Sequence, residues 1–114
     1  MPRAEALALL AILRERWPHA FPSQSTEVRP LALNIDQEIA TRIEGWSAKQ
    51  ARRAIAFWKR PLTVAYLRAL AAGGPRYDLT GTPQGTITLE EQQHAAQQLA
   101  ARSAQRQAKK QAEQ

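Results

Sequence analysis

Tyr66-Leu67-Arg68-Ala69-Leu70 and, from Gly73, Gly74-Pro75-Arg76-Tyr77-Asp78-Leu79-Thr80-Gly81 form the stretch on which the fold turns. The first half reads as the end of a helix, with Tyr66 at one edge. Two glycines and a proline stop it, because glycine takes positive φ cheaply and proline cannot continue the hydrogen-bond ladder. Arg76 leaves that stop on a rigid turn, just ahead of a possible strand. A cation and an aromatic held near a helix end suit a polyanion with exposed bases, and on a basic chain that combination points to RNA.

Working upstream, residues 4–16 place Ala4, Leu7, Ala8, Leu10, Ala11 and Leu13 at helical spacing, with Glu5, Arg14 and Arg16 outside the stripe. Trp17-Pro18 ends that helix, since the residue before proline is pushed out of the α region. Residues 19–27 carry no periodicity and read as loop. Leu31, Leu33 and Ile35 alternate in a short extended segment that Pro30 confines to an edge or a strand start. Asn34 or Asp36 can cap the next helix, which runs to about Glu44 with Ile39, Ala40 and Ile43 inward, and Gly45 closes it. Ser47 with Gln50 makes a capping box. It opens a helix with Ala51, Ala54, Ile55 and Trp58 on one face and Lys49, Arg52, Arg53 and Lys59 elsewhere. Pro61 breaks that helix or sits in the first turn of the next, at about 62–72.

Downstream, Tyr77-Asp78-Leu79 and Thr86-Ile87-Thr88 are strand-like and flank a turn-rich loop, Thr80 to Gly85, of hairpin character. Thr88 with Glu91 is a second capping box. The helix after it is poor in large apolar residues, so only its first half is expected to pack. From about Ala101 the chain is Ala, Gln, Lys and Arg, which predicts a frayed, solvated basic tail. The expected architecture is mainly α with a small β-hairpin (α+β): one compact domain over 1–100 and a basic, flexible tail over 101–114.

At 114 residues the chain is long enough to bury a core without staples. Lys and Arg number 16 against 10 Asp and Glu, a net charge of +6, which favours nucleic acid or another anionic surface as partner. There are no cysteines, which excludes disulfides, thiolate zinc sites and a cysteine nucleophile. No apolar run approaches the roughly 20 residues that span a bilayer, and no basic region followed by a long apolar core marks a leader, so a cytoplasmic protein with no membrane partner is expected. His19 and His94 have no ligand spacing, and no nucleophile–base order or phosphate-cradling loop is present. The expectation is no metal, no cofactor and no catalysis.

Several pieces together resemble the ProQ/FinO family of bacterial RNA chaperones over about residues 5–100. They are Trp17-Pro18-His19-Ala20-Phe21, Arg29-Pro30-Leu31-Ala32-Leu33-Asn34-Ile35, Ser47 with Arg52-Arg53-Ala54-Ile55, Tyr66-Leu67, and Arg76-Tyr77-Asp78-Leu79-Thr80-Gly81. The resemblance implies a compact, mostly helical domain with a small β element. It implies binding of structured RNA: the stem of an intrinsic terminator hairpin and the single-stranded 3′ tail beside it. It also implies stabilisation of small or antisense RNAs and promotion of their pairing with targets such as mRNA. Arg76 matches the family's arginine in Arg-x-Asp-Leu, which contacts RNA. Tyr66 matches the aromatic of Tyr-Leu, Arg52 a basic position after the Ser47 cap, and Arg29 the arginine of Arg-Pro-Leu. Ala32, Ala48 and Gln97 stand where relatives often carry basic residues, so the full basic face is not carried over. Lys49, Arg53 and Lys59, with Arg60, are the candidates to compensate.

The expected interface is therefore Arg76, Tyr66, Arg52, Arg29, Lys49, Arg53, Lys59 and Ser47, on a monomer. Two other readings compete. Residues 47–70 contain two helices that could imitate a DNA-binding helix-turn-helix, although Pro61 leaves almost no linker and the second helix is apolar apart from Arg68. The amphipathic last helix could instead dock a protein. Trp17, Phe21, Trp46, Phe57 and Trp58 are expected in the core, and Asp78 is expected to hold the turn or to orient Arg76.

Overall fold

A computed structural model describes residues 2–113. The order is α1 (Pro2–Arg16), α2 (Ile35–Arg42), α3 (Ala48–Lys59), α4 (Thr63–Ala72), β1 (Pro75–Tyr77), β2 (Pro83–Thr86) and α5 (Leu89–Ala112), with single 3₁₀ turns at Ser25–Glu27 and Arg60–Leu62. Mainly helical architecture with one two-stranded antiparallel sheet is the expected class. The helix α3 is the centre: α1 and α2 both lie against it, while α4 pairs with α5. Its expected face is the buried one, Ala51, Ala54, Ile55 and Trp58. Trp58 is wholly buried, with Phe21 edge-on at 5.4 Å and Tyr66 edge-on at 5.9 Å between ring centroids. The indole N–H donates to the Pro22 carbonyl at 2.8 Å, so the polar atom of this core residue is matched. Trp17, Trp46 and Phe57 pack around this core half-buried.

Both capping boxes form, Ser47 with Gln50 and Thr88 with Glu91, and each ties two donors at a helix start. Pro61 lies inside the 3₁₀ turn joining α3 to α4, where its missing N–H costs nothing. Gly73 ends α4 at φ 76°, and a Cβ there would also stand 2.8 Å from Gln92, so the stop is conformational and steric at once.

Four expectations shift. In α1 the buried residues are Ala6, Leu9, Leu10 and Leu13, and Leu7 is exposed. Residues 6–13 are apolar throughout, so their pattern does not select a face. The strands lie at 75–77 and 83–86 rather than 77–79 and 86–88, because Asp78 is taken by the turn. Its Oδ1 accepts from the Thr80 and Thr82 N–H groups, each at 2.9 Å, and from the Thr80 hydroxyl at 2.7 Å. The segment around Leu31 is a single parallel bridge to Tyr77, and Ile35 already belongs to α2, after Asn34 at φ 64°. Finally, α5 continues as helix through 101–112, exposed on all sides, where fraying was expected. Growth from a preformed helix avoids the nucleation step that disfavours an isolated one.

Candidate nucleic-acid interface

The Arg29-Pro30-Leu31 segment is sewn to β1 by backbone bonds: Tyr77 N–H to the Pro30 carbonyl at 2.9 Å and Ala32 N–H to the Tyr77 carbonyl at 2.8 Å. This brings Arg29 and Arg76, 47 positions apart in sequence, to neighbouring places on one small platform. The Arg29 guanidinium lies 3.6 Å from the centroid of the Tyr77 ring, a cation–π stack on the exposed side.

Arg76 points the other way from Tyr77, into the domain, and is only 7 % exposed. Its Nη1 donates to the Leu31 carbonyl at 2.9 Å, and its Nη2 pairs with Glu91 Oε2. Its Nε is buried without a partner among the described residues. The expected alternative partner, Asp78, is committed to the turn. Arg76 nevertheless lines two surface clefts. One, of about 490 Å³, is formed with Leu70 and the first turns of α5, including Glu91 and His94. The other, of about 230 Å³, is formed with Ala32, Asn34 and the hairpin residues Gln84 to Thr86.

Tyr66 is also buried, its hydroxyl accepting from the Leu31 N–H at 3.0 Å. Burial is the main reason its phenol titrates above the usual tyrosine range, so it stays protonated at neutral pH. Lys59, at the last turn of α3, places its ammonium 4.3 Å from the Tyr66 ring centroid. Its pKa is lowered, first by burial and then by the Arg76 charge. Glu91 is held below the usual carboxylate range, first by the Thr88 backbone N–H at the cap and also by the Thr88 hydroxyl and Arg76.

Lys59, Tyr66 and Arg76 thus form one cluster, with Arg29 on Tyr77 beside it. The remaining expected residues lie along α3. Ser47 is engaged in its cap, accepting from Gln50 N–H at 3.1 Å. Arg52 is ion-paired to Asp36 at 3.0 Å. Lys49 and Arg53 are exposed. Lys49, Arg52 and Lys59 fall at i, i+3 and i+10, one stripe of the helix that leads toward the Tyr66 cluster.

Three participants carry no signal in the sequence for this role. Tyr77 shows only strand character there, although Arg29 stacks on it. Glu91 shows only its capping spacing, yet Oε1 serves the cap while Oε2 serves Arg76. The backbone of Leu31 carries no side-chain signal at all. Among the described residues no group of His, Asp and Glu is placed to hold a metal ion, and no helix is long and apolar enough to cross a membrane.

A family model described as the ProQ/FINO family matches residues 4–112. Two solved structures are similar. One is a FinO-like RNA chaperone from Neisseria meningitidis MC58, 29 % identical, with TM-score 0.69, covering 83 % of this chain and 74 % of that one. The other is a ProQ homolog from Legionella pneumophila, 25 % identical, with TM-score 0.60, covering 86 % of this chain and 83 % of that one.

Proposed function

Because the chain belongs to the ProQ/FinO family, we propose that it is an RNA-binding chaperone whose interface is the Lys59–Tyr66–Arg76 cluster, with Arg29 and the basic stripe of α3 around it. The ligand is a structured RNA, the stem of an intrinsic terminator hairpin with its single-stranded 3′ tail. The outcome is stabilisation of small or antisense RNAs and their pairing with mRNA in the bacterial cytoplasm. The protein acts as a monomer and without chemistry on its substrate.

One observation carries this reading. Arg76 is a buried charge among the residues that line a cleft, and one of its donors, Nε, has no partner among the described residues. A buried arginine with an idle donor is poorly explained by stability alone, since an unpaired buried polar group costs about 1–3 kcal/mol. A phosphate or ribose oxygen entering the cleft would satisfy it. A-form RNA hides its base edges, so shape, phosphate and 2′-OH are what a duplex offers, and guanidinium groups match them. Lys59 adds charge over the Tyr66 ring, and the Arg29–Tyr77 pair offers a surface on which an unpaired base can stack. A helix-turn-helix role is disfavoured because α4 packs on α5 and buries Tyr66 and Leu67.

The test is a titration with a terminator hairpin, with and without its 3′ uridine tail, at two salt concentrations. With about four phosphates neutralised, affinity should fall roughly 10²-fold between 50 and 200 mM salt. Tail removal should weaken binding. Salt-independent binding, or equal binding to duplex DNA of the same sequence, overturns the reading.

A further inference from the structure

A further cleft, of about 290 Å³, lies where the Arg60–Leu62 turn, α4 and α5 meet, and three arginines line it: Arg60, Arg68 and Arg102. No acidic residue lines it. All three arginines are exposed, and among the described residues none has a carboxylate partner. Arg60 is supported by the Phe57 ring, 4.8 Å from its centroid. Arg68 follows Tyr66 by two positions on α4, about 200° around the helix, so this cleft faces away from the Tyr66 cluster.

The basic surface does not stop at Arg102. The stripe of α5 that packs inward is Ala95, buried, and Leu99, half-buried. Its continuation at helical spacing is Arg102, Arg106 and Lys109, with Lys110 beside it. The face of α5 that buries against the domain becomes a row of cations once the helix leaves the domain. Residues 92–112 contain four Lys and Arg and no Asp or Glu, so nothing on the helix offsets the row. Arg106 and Lys110 border a further shallow groove along it.

We propose that this track, from Arg60 and Arg68 across Arg102 to Arg106, is a second phosphate-binding surface that takes the backbone of a second RNA strand while the Tyr66 cluster holds the first. The proposal rests on the RNA-binding reading above. Mutual repulsion of like charges on a stable fold is tolerated where a polyanion is the counterpart. Apart from its cations, residues 100–112 are alanine, glutamine and one serine, with no large apolar residue for insertion into a lipid interface, which favours nucleic acid over membrane. Two strands held on opposite sides of one small domain are brought together at high effective concentration, which accelerates their pairing without base-specific contacts.

The experiment uses two labelled RNAs, a terminator hairpin and an unstructured strand complementary to its loop. Wild-type protein is compared with Arg68→Gln/Arg102→Gln/Arg106→Gln, all exposed positions. Hairpin affinity should stay within twofold, while capture of the second strand by the preloaded complex, and the pairing rate, should fall at least tenfold. Loss of hairpin affinity in parallel would merge the track with the first site and overturn the proposal. So would unchanged capture, or wild-type protein that binds the hairpin and never takes up a second RNA. Loss of binding to anionic vesicles with RNA capture intact would reassign the track to lipid and also overturn it. Wild-type protein that captures the single strand through these arginines but ignores the hairpin would sink the functional reading and leave the track standing.

Discussion

Tyr66 and Arg76 hold the same residue by its two backbone poles. The Tyr66 hydroxyl accepts from the Leu31 N–H at 3.0 Å, and Arg76 Nη1 donates to the Leu31 carbonyl at 2.9 Å. The two side chains proposed to meet RNA are therefore also what locks the Arg29-Pro30-Leu31 segment against α4 and β1. Binding and stability are therefore entangled at this point.

Tyr66→Phe keeps the ring, its packing on Trp58 and the Lys59 contact, and removes only the hydroxyl. It leaves the buried Leu31 N–H without a partner, which should destabilise the fold by about 1–3 kcal/mol in urea unfolding. If the tyrosine's role toward RNA is ring stacking, hairpin affinity well below the unfolding transition stays near wild type. A large affinity loss with a small stability loss would instead assign the hydroxyl to the RNA.

Arg76→Lys preserves charge and loses the planar fork that reaches both Leu31 and Glu91. RNA affinity should fall by on the order of 1–3 kcal/mol of binding energy, the scale of a charged hydrogen-bonded contact. Circular dichroism establishes that the variant is folded at the assay temperature. Wild-type binding by a folded Arg76→Lys would remove Arg76 from the interface.

Much of this architecture was legible because its signals are local. Ser47–Gln50 and Thr88–Glu91 announce helix starts by spacing alone, and the α3 face from Ala51 to Trp58 is a clean period. Gly73-Gly74-Pro75 announces a stop. What was not legible depends on contacts distant in sequence or on backbone. The partner of Arg76 is Glu91, fifteen residues on, and chemically Asp78 looked equally suitable until the turn claimed it. The burial of Arg76 and Tyr66 follows from Leu31 arriving beside them, and nothing in the Leu31 side chain signals that. Helix α1 is legible but its face only in part: Leu7, expected inside the stripe, is exposed, and Ala6 and Leu9 are buried, since the apolar residues run all round.

Helix α5 supplies a prediction about order without burial. Residues 101–112 are exposed, so their helix rests on propagation from the packed first turns and not on tertiary contact. Ser103→Pro should lower the helical dichroism by roughly the last two fifths of α5, because proline breaks the ladder and clashes with the preceding turn. The thermal midpoint should move by less than about 2 °C, since no core is disturbed. A large drop in midpoint would mean that the distal helix packs on the domain.

Glu91→Gln separates the ion pair from the cap, because glutamine also serves at the third position of a capping box. In the wild type, the Thr88 cap and Arg76 hold the folded carboxyl below its ordinary value of 4.5. That stabilisation is present in full above the unfolded value and is lost as pH falls through the folded one. Asp78 acts in the same direction, held low chiefly by the Thr80 hydroxyl. Thermal midpoints should therefore drop below about pH 4.5, and Glu91→Gln should flatten part of that slope while leaving the Asp78 share. Because the substitution also frees Arg76 Nη2 from a competing anion, hairpin affinity at neutral pH should hold or rise. A fall comparable to that of Arg76→Lys would mean that Glu91 must orient the guanidinium for binding.

Lys59 offers the sharpest separation of fold from function. Its folded pKa lies below the usual lysine value, lowered by burial and by Arg76, so the folded state binds its proton less readily than the unfolded chain. The penalty is fully present below the folded pKa, neutral pH included, and is relieved as pH rises through that value toward 10.5. Lys59→Met keeps the aliphatic stem over Tyr66 and removes the penalty. Its unfolding midpoint at pH 7 should therefore be equal to or above that of wild type, with the difference shrinking as pH approaches 10. RNA affinity should fall about five- to tenfold, the effect of losing one partly desolvated charge contact. A charge that weakens the fold and strengthens the complex is retained for the complex. Lys59→Met that destabilises the protein and leaves RNA binding untouched would make the lysine a structural residue and take it out of the proposed interface.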